Sequence, residues 1–126
     1  MNVTLSLRLA VWEKAKIEPG FDPKMFRKDA CGAWMVWDKY GVHDNIYGWE
    51  IDHIFPKSIL EKRGYSADRI NHIDNLRALQ HENNAAKGDD YPSYTALVTS
   101  EGKKNIYKTM NLVVNAEVRE ILGQLF

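Results

Sequence analysis

Residues 49–90 read WEIDHIFPKSILEKRGYSADRINHIDNLRALQHENNAAKGDD, and the rest of the chain is interpreted around them. Trp49-Glu50-Ile51-Asp52 alternates apolar and acidic residues, the pattern of a short strand with one buried face. Successive side chains of an extended backbone leave on opposite faces, so Asp52 and His53 point apart. A carboxylate and an imidazole so placed serve two partners without competing: Asp52 a divalent cation, His53 a water molecule. Asn75-Leu76-Arg77-Ala78-Leu79-Gln80 alternates polar and apolar residues and predicts a second strand. Asn84 follows inside a run of helix formers ending on Lys87 and Gly88, a cation in the last turn and then a terminating glycine. Strand, long loop, strand and short helix predict a ββα hairpin able to close over one ion.

Asp52-His53, Asn75, and Asn84 with Lys87 three positions on resemble the signature of the HNH nucleases, D-H…N…N/H-x-x-K. Glu50, two before Asp52, and Pro56, after the pair, also fit. The spacing is similar to that in the HNH domain of the RNA-guided CRISPR nuclease. A wider match over residues 12–93 resembles small stand-alone HNH endonucleases. The resemblance implies an α+β fold with a ββα-metal (HNH) core at 49–90. To this are added an N-terminal helix, a flanking strand, and a C-terminal β-hairpin plus helix, all in a single domain, 1–126. Many HNH proteins carry paired cysteines that bind a structural zinc, and Gln80 and Asn83 stand where such a pair would flank the short helix. With Cys31 the only cysteine, a four-cysteine zinc site is excluded.

The activity implied is metal-dependent hydrolysis of DNA phosphodiester bonds, on double-stranded DNA first of all, with 5′-phosphate and 3′-hydroxyl products. The catalytic set is Asp52, His53, Asn75 and Asn84. Such hydrolysis needs a base for water and a cation for the charge gathering on the phosphoryl oxygens. A histidine titrates close enough to neutrality to act as that base, which suits His53. Asp52 and Asn84 supply oxygen ligands for one divalent ion, Mg²⁺ foremost, with Mn²⁺ or another transition metal as alternatives. Asn75 is expected to support the loop and the orientation of His53. Lys87, Lys57 and Arg63 are expected to contact the nucleic-acid backbone, and Glu50 and His81 are auxiliary candidates. The competing reading is a catalytically inactive HNH-fold module that binds nucleic acid or protein.

Singly, each of these residues has an ordinary explanation: Asp52 as a turn cap, His53 as a satisfied half-buried histidine, Asn75 and Asn84 as turn and cap residues. Their joint order points to chemistry, because no folding requirement sets a ligand, a base and a second ligand in this sequence.

The chain of 126 residues is the size of one domain. It has no apolar run of about 18 residues, the length that would span a membrane. Met1-Asn2-Val3-Thr4 lacks the basic and apolar regions of a signal peptide, and one cysteine fits a reducing cytoplasm. Seventeen basic and seventeen acidic residues give a formal net charge of zero, so a DNA-binding chain of this composition must gather its cations on one face. One hairpin offers one active site, so double-strand cleavage would be easiest for a homodimer.

Outside the motif, residues 4–16 predict an amphipathic helix with Leu5, Leu9 and Trp12 on its core face. Asp22-Pro23 predicts the start of a short helix through Lys28. Cys31–Trp37 predicts a strand with core aromatics, and Asp38–Gly48 a loop rimming the cleft with Tyr40, His43 and Tyr47. Ser58–Gly64 predicts one or two helical turns. Lys57, Lys62, Arg63 and Arg69 make this inter-strand loop the most basic part of the motif. Tyr94–Ser100 and Asn105–Val114 predict a hairpin, and Asn115 caps a last helix, Ala116–Phe126, with Val118, Ile121, Leu122 and Leu125 in its apolar stripe.

Overall fold

In the computed structural model, which describes residues 1–126, the two alternating segments become strands β3 (Trp49–His53) and β4 (Leu76–Gln80). They pair antiparallel with Trp49 opposite Gln80, Asp52 opposite Arg77 and His53 opposite Leu76. The period-two pattern gives the hairpin two working faces. Trp49, Leu76 and Ala78 enter one buried cluster with Val11, Trp12 and Met35. Leu79 enters another with Cys31, Ile54, Tyr94, Ala96, Val114 and Leu122. A hairpin buried on both faces is held rigidly, since two strands alone are marginally stable in water.

Helix α4 (His81–Lys87) follows β4 directly. Its start is fixed by Gln80, whose side-chain oxygen accepts from the Glu82 and Asn83 amides at 2.9 Å each. The fully buried Asn83 then joins α4 to the next strand, accepting from the Leu97 and Val98 amides and donating to the Val98 carbonyl, all at 2.8 Å. Asp29 completes this hub: its carboxylate accepts from the Cys31, Ala33 and Gln80 amides and from Asn83 Nδ2, at 2.9 to 3.2 Å. Burial pushes the Asp29 carboxyl up, against the pull of these donors. Gln80 and Asn83 thus anchor the helix through hydrogen bonds.

The remaining elements are α1 (Leu5–Trp12), β1 (Phe26–Lys28), β2 (Trp34–Val36), α2 (Lys57–Lys62), α3 (Ala67–Ile70), β5 (Ser93–Glu101), β6 (Lys104–Val113) and α5 (Ala116–Leu125). The result is an α+β fold of three two-stranded antiparallel sheets, β1–β2, β3–β4 and β5–β6. No helix is long and apolar enough to cross a membrane.

Several local expectations change. The strand expected over Cys31–Trp37 is confined to Trp34–Val36, and Asn75 closes a 3₁₀ turn, Ile73–Asn75, just before β4 instead of opening the strand. Helix α1 stops at Trp12, and Leu5 and Leu9 are 67% and 46% exposed. The helix meets the core through Leu7 and its C-terminal end, where the Trp12 ring lies 5.0 Å from that of Trp49 and 5.6 Å from that of Trp37. Residues 26–28 form a strand instead of completing a helix. Pairing with β2 prevails over local propensity, and Arg27 is turned back onto the carbonyls of Pro23, Glu13 and Ala15. The C-terminal helix buries Leu122 fully, while Ile121 stays 38% exposed.

Candidate functional site

Helix α4 lies across the Glu50–Asp52 face of β3. Asn84 Nδ2 is 3.3 Å from Glu50 Oε1, and one helical turn on, Lys87 Nζ is 3.3 Å from Asp52 Oδ1. The i, i+3 spacing of the helix thus matches the i, i+2 spacing of the strand, and two acids meet two α4 side chains. His53, the next residue, leaves on the other face. The expected ligand pair, Asp52 and Asn84, shares no hydrogen bond: Asn84 meets Glu50, and Asp52 meets Lys87.

Asp52 is 5% exposed, and both its oxygens carry cations. Oδ2 accepts from Arg77 Nε at 2.9 Å across the ladder, and Oδ1 faces Lys87. Lys87 is buried to 1% exposure, and its ammonium also donates to the His53 carbonyl at 3.1 Å. The lysine expected to reach a phosphate is therefore turned inward. Burial pushes its ammonium below the ordinary range, and Asp52 pulls the other way. Burial also works against the Arg77 charge, but Asp52, Tyr94 and Cys31 together pull the other way and leave the guanidinium raised. Arg77 stands 5.0 Å from the Tyr94 ring centroid, and its Nη2 is buried without a partner.

Asn75 is fully buried and works as a clamp. Its oxygen accepts from the Phe55 amide at 2.8 Å, while Nδ2 donates to the Phe55 and Ile70 carbonyls at 3.1 and 3.0 Å. Its backbone carbonyl accepts from Ile54 at 2.8 Å. It holds the backbone just after His53 against the end of α3. His53 itself is held by Asn71, with Nε2 2.7 Å from Asn71 Oδ1.

Of the auxiliary candidates, Glu50 is half-buried, and its second oxygen lies 3.1 Å from His43 Nε2. The His43 ring stacks on His81 with centroids 5.4 Å apart. His81 Nε2 is taken by the Asn45 carbonyl at 3.0 Å. The loop before β3 therefore closes over the Glu50–Asn84 pair. No three His, Cys, Asp or Glu side chains converge on a single point.

The inter-strand loop carries Lys57, Lys62, Arg63 and Arg69 on its surface. Lys57 sits 3.8 Å from Glu61, both half-exposed, and the Arg63 guanidinium lies over the Phe55 ring at 5.2 Å. Arg69 is tied to the Leu125 carbonyl at 2.7 Å.

Sequence reasoning missed Arg77, Asn71 and Asp29. Arg77 was accessible in principle, because antiparallel pairing of 49–53 with 76–80 sets it opposite Asp52. Asn71 and Asp29 lie in turns with no periodicity, so their partners depend on tertiary closure. No family model, curated protein or solved structure matches the chain.

Proposed function

We propose that the chain is a metal-dependent endonuclease of the HNH kind, with a ββα-metal core at β3, β4 and α4, that hydrolyses phosphodiester bonds in DNA. The observation carrying this reading is the meeting of β3 and α4, which sets Glu50 against Asn84 and Asp52 against Lys87 beside His53. These five residues span 38 positions of sequence, and two carboxylates, an amide and an imidazole gathered on one hairpin suit a hard cation beside a base.

The donor chemistry there is hard and oxygen-rich, which fits Mg²⁺ or Mn²⁺. The Glu50 carboxylate fits such an ion once the Asn84 amide and the His43 ring release its oxygens, with Asn84 turning Oδ1 in place of Nδ2. Asp52 fits once Lys87 has moved off Oδ1, because a carboxylate with both oxygens ion-paired has little charge left to offer. Asp52 and Asn84 would hold the ion, with Glu50 beside them, and when bound it would stabilise charge on the scissile phosphate and the leaving oxygen.

The remaining roles belong to the chain itself. His53 is the base that takes the water proton, and Asn75 fixes the backbone from which His53 projects. Lys57 and Arg63, exposed on the loop beyond β3, grip the DNA backbone, and a lysine displaced from Asp52 would gain access to the phosphate. A second reading has its own observation: the doubly paired Asp52 also suits an inactive module that binds nucleic acid or protein.

Supercoiled plasmid incubated with Mg²⁺, with Mn²⁺, and with chelator separates the two. The enzyme nicks with either metal and stops with chelator. Binding to DNA without nicking under any metal leaves the module.

A further inference from the structure

We infer that Asn71 is the positioning residue for His53, fixing its proton on Nε2 and leaving Nδ1 as the bare nitrogen that meets water. This rests on the assignment of His53 as the base.

The inference starts from the donor and acceptor inventory. An amide oxygen only accepts, so a 2.7 Å contact between Asn71 Oδ1 and His53 Nε2 is attractive only with a proton on Nε2. A neutral imidazole has one ring proton, so Nδ1 then carries a lone pair. Nδ1 makes no hydrogen bond within the chain. The opposite orientation of the amide would reverse everything. Asn71 Nδ2 would donate to a bare Nε2, the proton would sit on Nδ1, and Nδ1 could accept nothing. The Asn71 orientation therefore decides whether His53 can serve as a base at all.

The backbone around the pair is built for this contact. Asn71 follows the last residue of α3, and its amide donates to the Ala67 carbonyl at 2.9 Å. The preceding residue, Ile70, is buried, and its carbonyl is held by Asn75 Nδ2. The same Asn75 holds both backbone groups of Phe55, two residues beyond His53. One buried amide thus ties together the two backbone segments that carry Asn71 and His53. No other side chain hydrogen-bonds the ring.

The test reads the ring directly. Nitrogen NMR of ¹⁵N-histidine-labelled protein, at a pH where the ring is neutral, is expected to show His53 with a protonated Nε2 and a bare Nδ1. A protonated Nδ1 overturns the inference. Asn71→Leu, which keeps the bulk and removes the acceptor, is expected to release the tautomer into a mixture. Its kcat for plasmid nicking should fall about 10- to 100-fold, in the range typical of lost orienting partners, with KM changed less than twofold. Asn71→Asp keeps an acceptor oxygen in place and is expected to keep the Nε2–H tautomer. An Asn71→Leu protein that retains both the tautomer and the wild-type kcat sinks the proposal. If the wild type cuts no DNA with any metal yet shows the Nε2–H tautomer, the nuclease reading fails while the hydrogen-bond assignment stands.

Discussion

Asp52 and Arg77 occupy directly opposed positions of the β3–β4 ladder, and the carboxylate Oδ2 meets the guanidinium Nε at 2.9 Å. With Lys87 on the other oxygen, one buried negative charge is shared by two buried cations. The residue expected to hold an ion is therefore also a structural counter-charge, and its substitution affects more than chemistry.

Removing one partner of a buried ion pair leaves the other uncompensated, which costs roughly 3–5 kcal/mol. Asp52→Ala strands two cations and is expected to lose stability in that range in urea denaturation. Asp52→Asn retains a hydrogen-bond acceptor and is expected to lose less. His53→Ala, at a half-buried strand end, should cost about 1 kcal/mol or less. Equal losses for Asp52→Ala and His53→Ala would contradict the geometry at Asp52.

Asn75→Ala removes one acceptor and two donations at a fully buried position. Leaving buried backbone groups of Phe55 and Ile70 unpaired costs about 1–3 kcal/mol for each unsatisfied group, less whatever water repays. The expected loss is about 2–4 kcal/mol by denaturation, together with faster amide exchange at Phe55. An unchanged Phe55 exchange rate would show that Asn75 does not clamp the loop.

The alkaline limit of stability follows from two buried neutral acids. Burial pushes the Cys31 thiol up to about 12 from 9.0 and the Tyr94 hydroxyl up to about 12 from 10.0. A raised folded value means that the unfolded chain releases these protons first. Their contribution is complete below about pH 9, and it is lost as pH climbs towards 12. The urea midpoint is expected to fall from pH 9 upward, and to fall less steeply in Cys31→Ala/Tyr94→Phe. Native Cys31 should also react slowly with a thiol reagent at neutral pH, because the thiolate is the reactive form.

Exposure separates the basic residues on DNA. Each phosphate contact contributes about one unit to the slope of log K against log salt. Lys57→Ala and Arg63→Ala are each expected to shorten that slope by about one in fluorescence anisotropy with duplex DNA. Wild-type slopes surviving both substitutions would move the DNA to another face.

Much of this was legible in the sequence, for identifiable reasons. The β3–β4 pair and α4 came through because period-two alternation and a Lys-Gly helix end are local signals. Asn115 and the C-terminal hairpin were equally local. The strand at Phe26–Lys28 was hidden because Asp22-Pro23 is a good helix start and only the pairing with Trp34–Val36 overrides it. At the site, the positions of Asp52, His53 and Asn84 on their elements followed from pattern, while Asn75, expected to open the second strand, closes the turn before it. What each side chain touches did not follow from pattern. Lys87 turns inward to Asp52, and Asn71 reaches His53 across 18 residues, through closures that no local pattern encodes.

The most direct measurement is the single-turnover rate of plasmid nicking in Mn²⁺ or Mg²⁺ for the wild type and His53→Ala, each shown folded by its denaturation curve. His53 acting as base predicts a loss of about 100- to 10,000-fold in the variant. A folded His53→Ala protein that cuts at the wild-type rate would contradict the assignment on which the account depends.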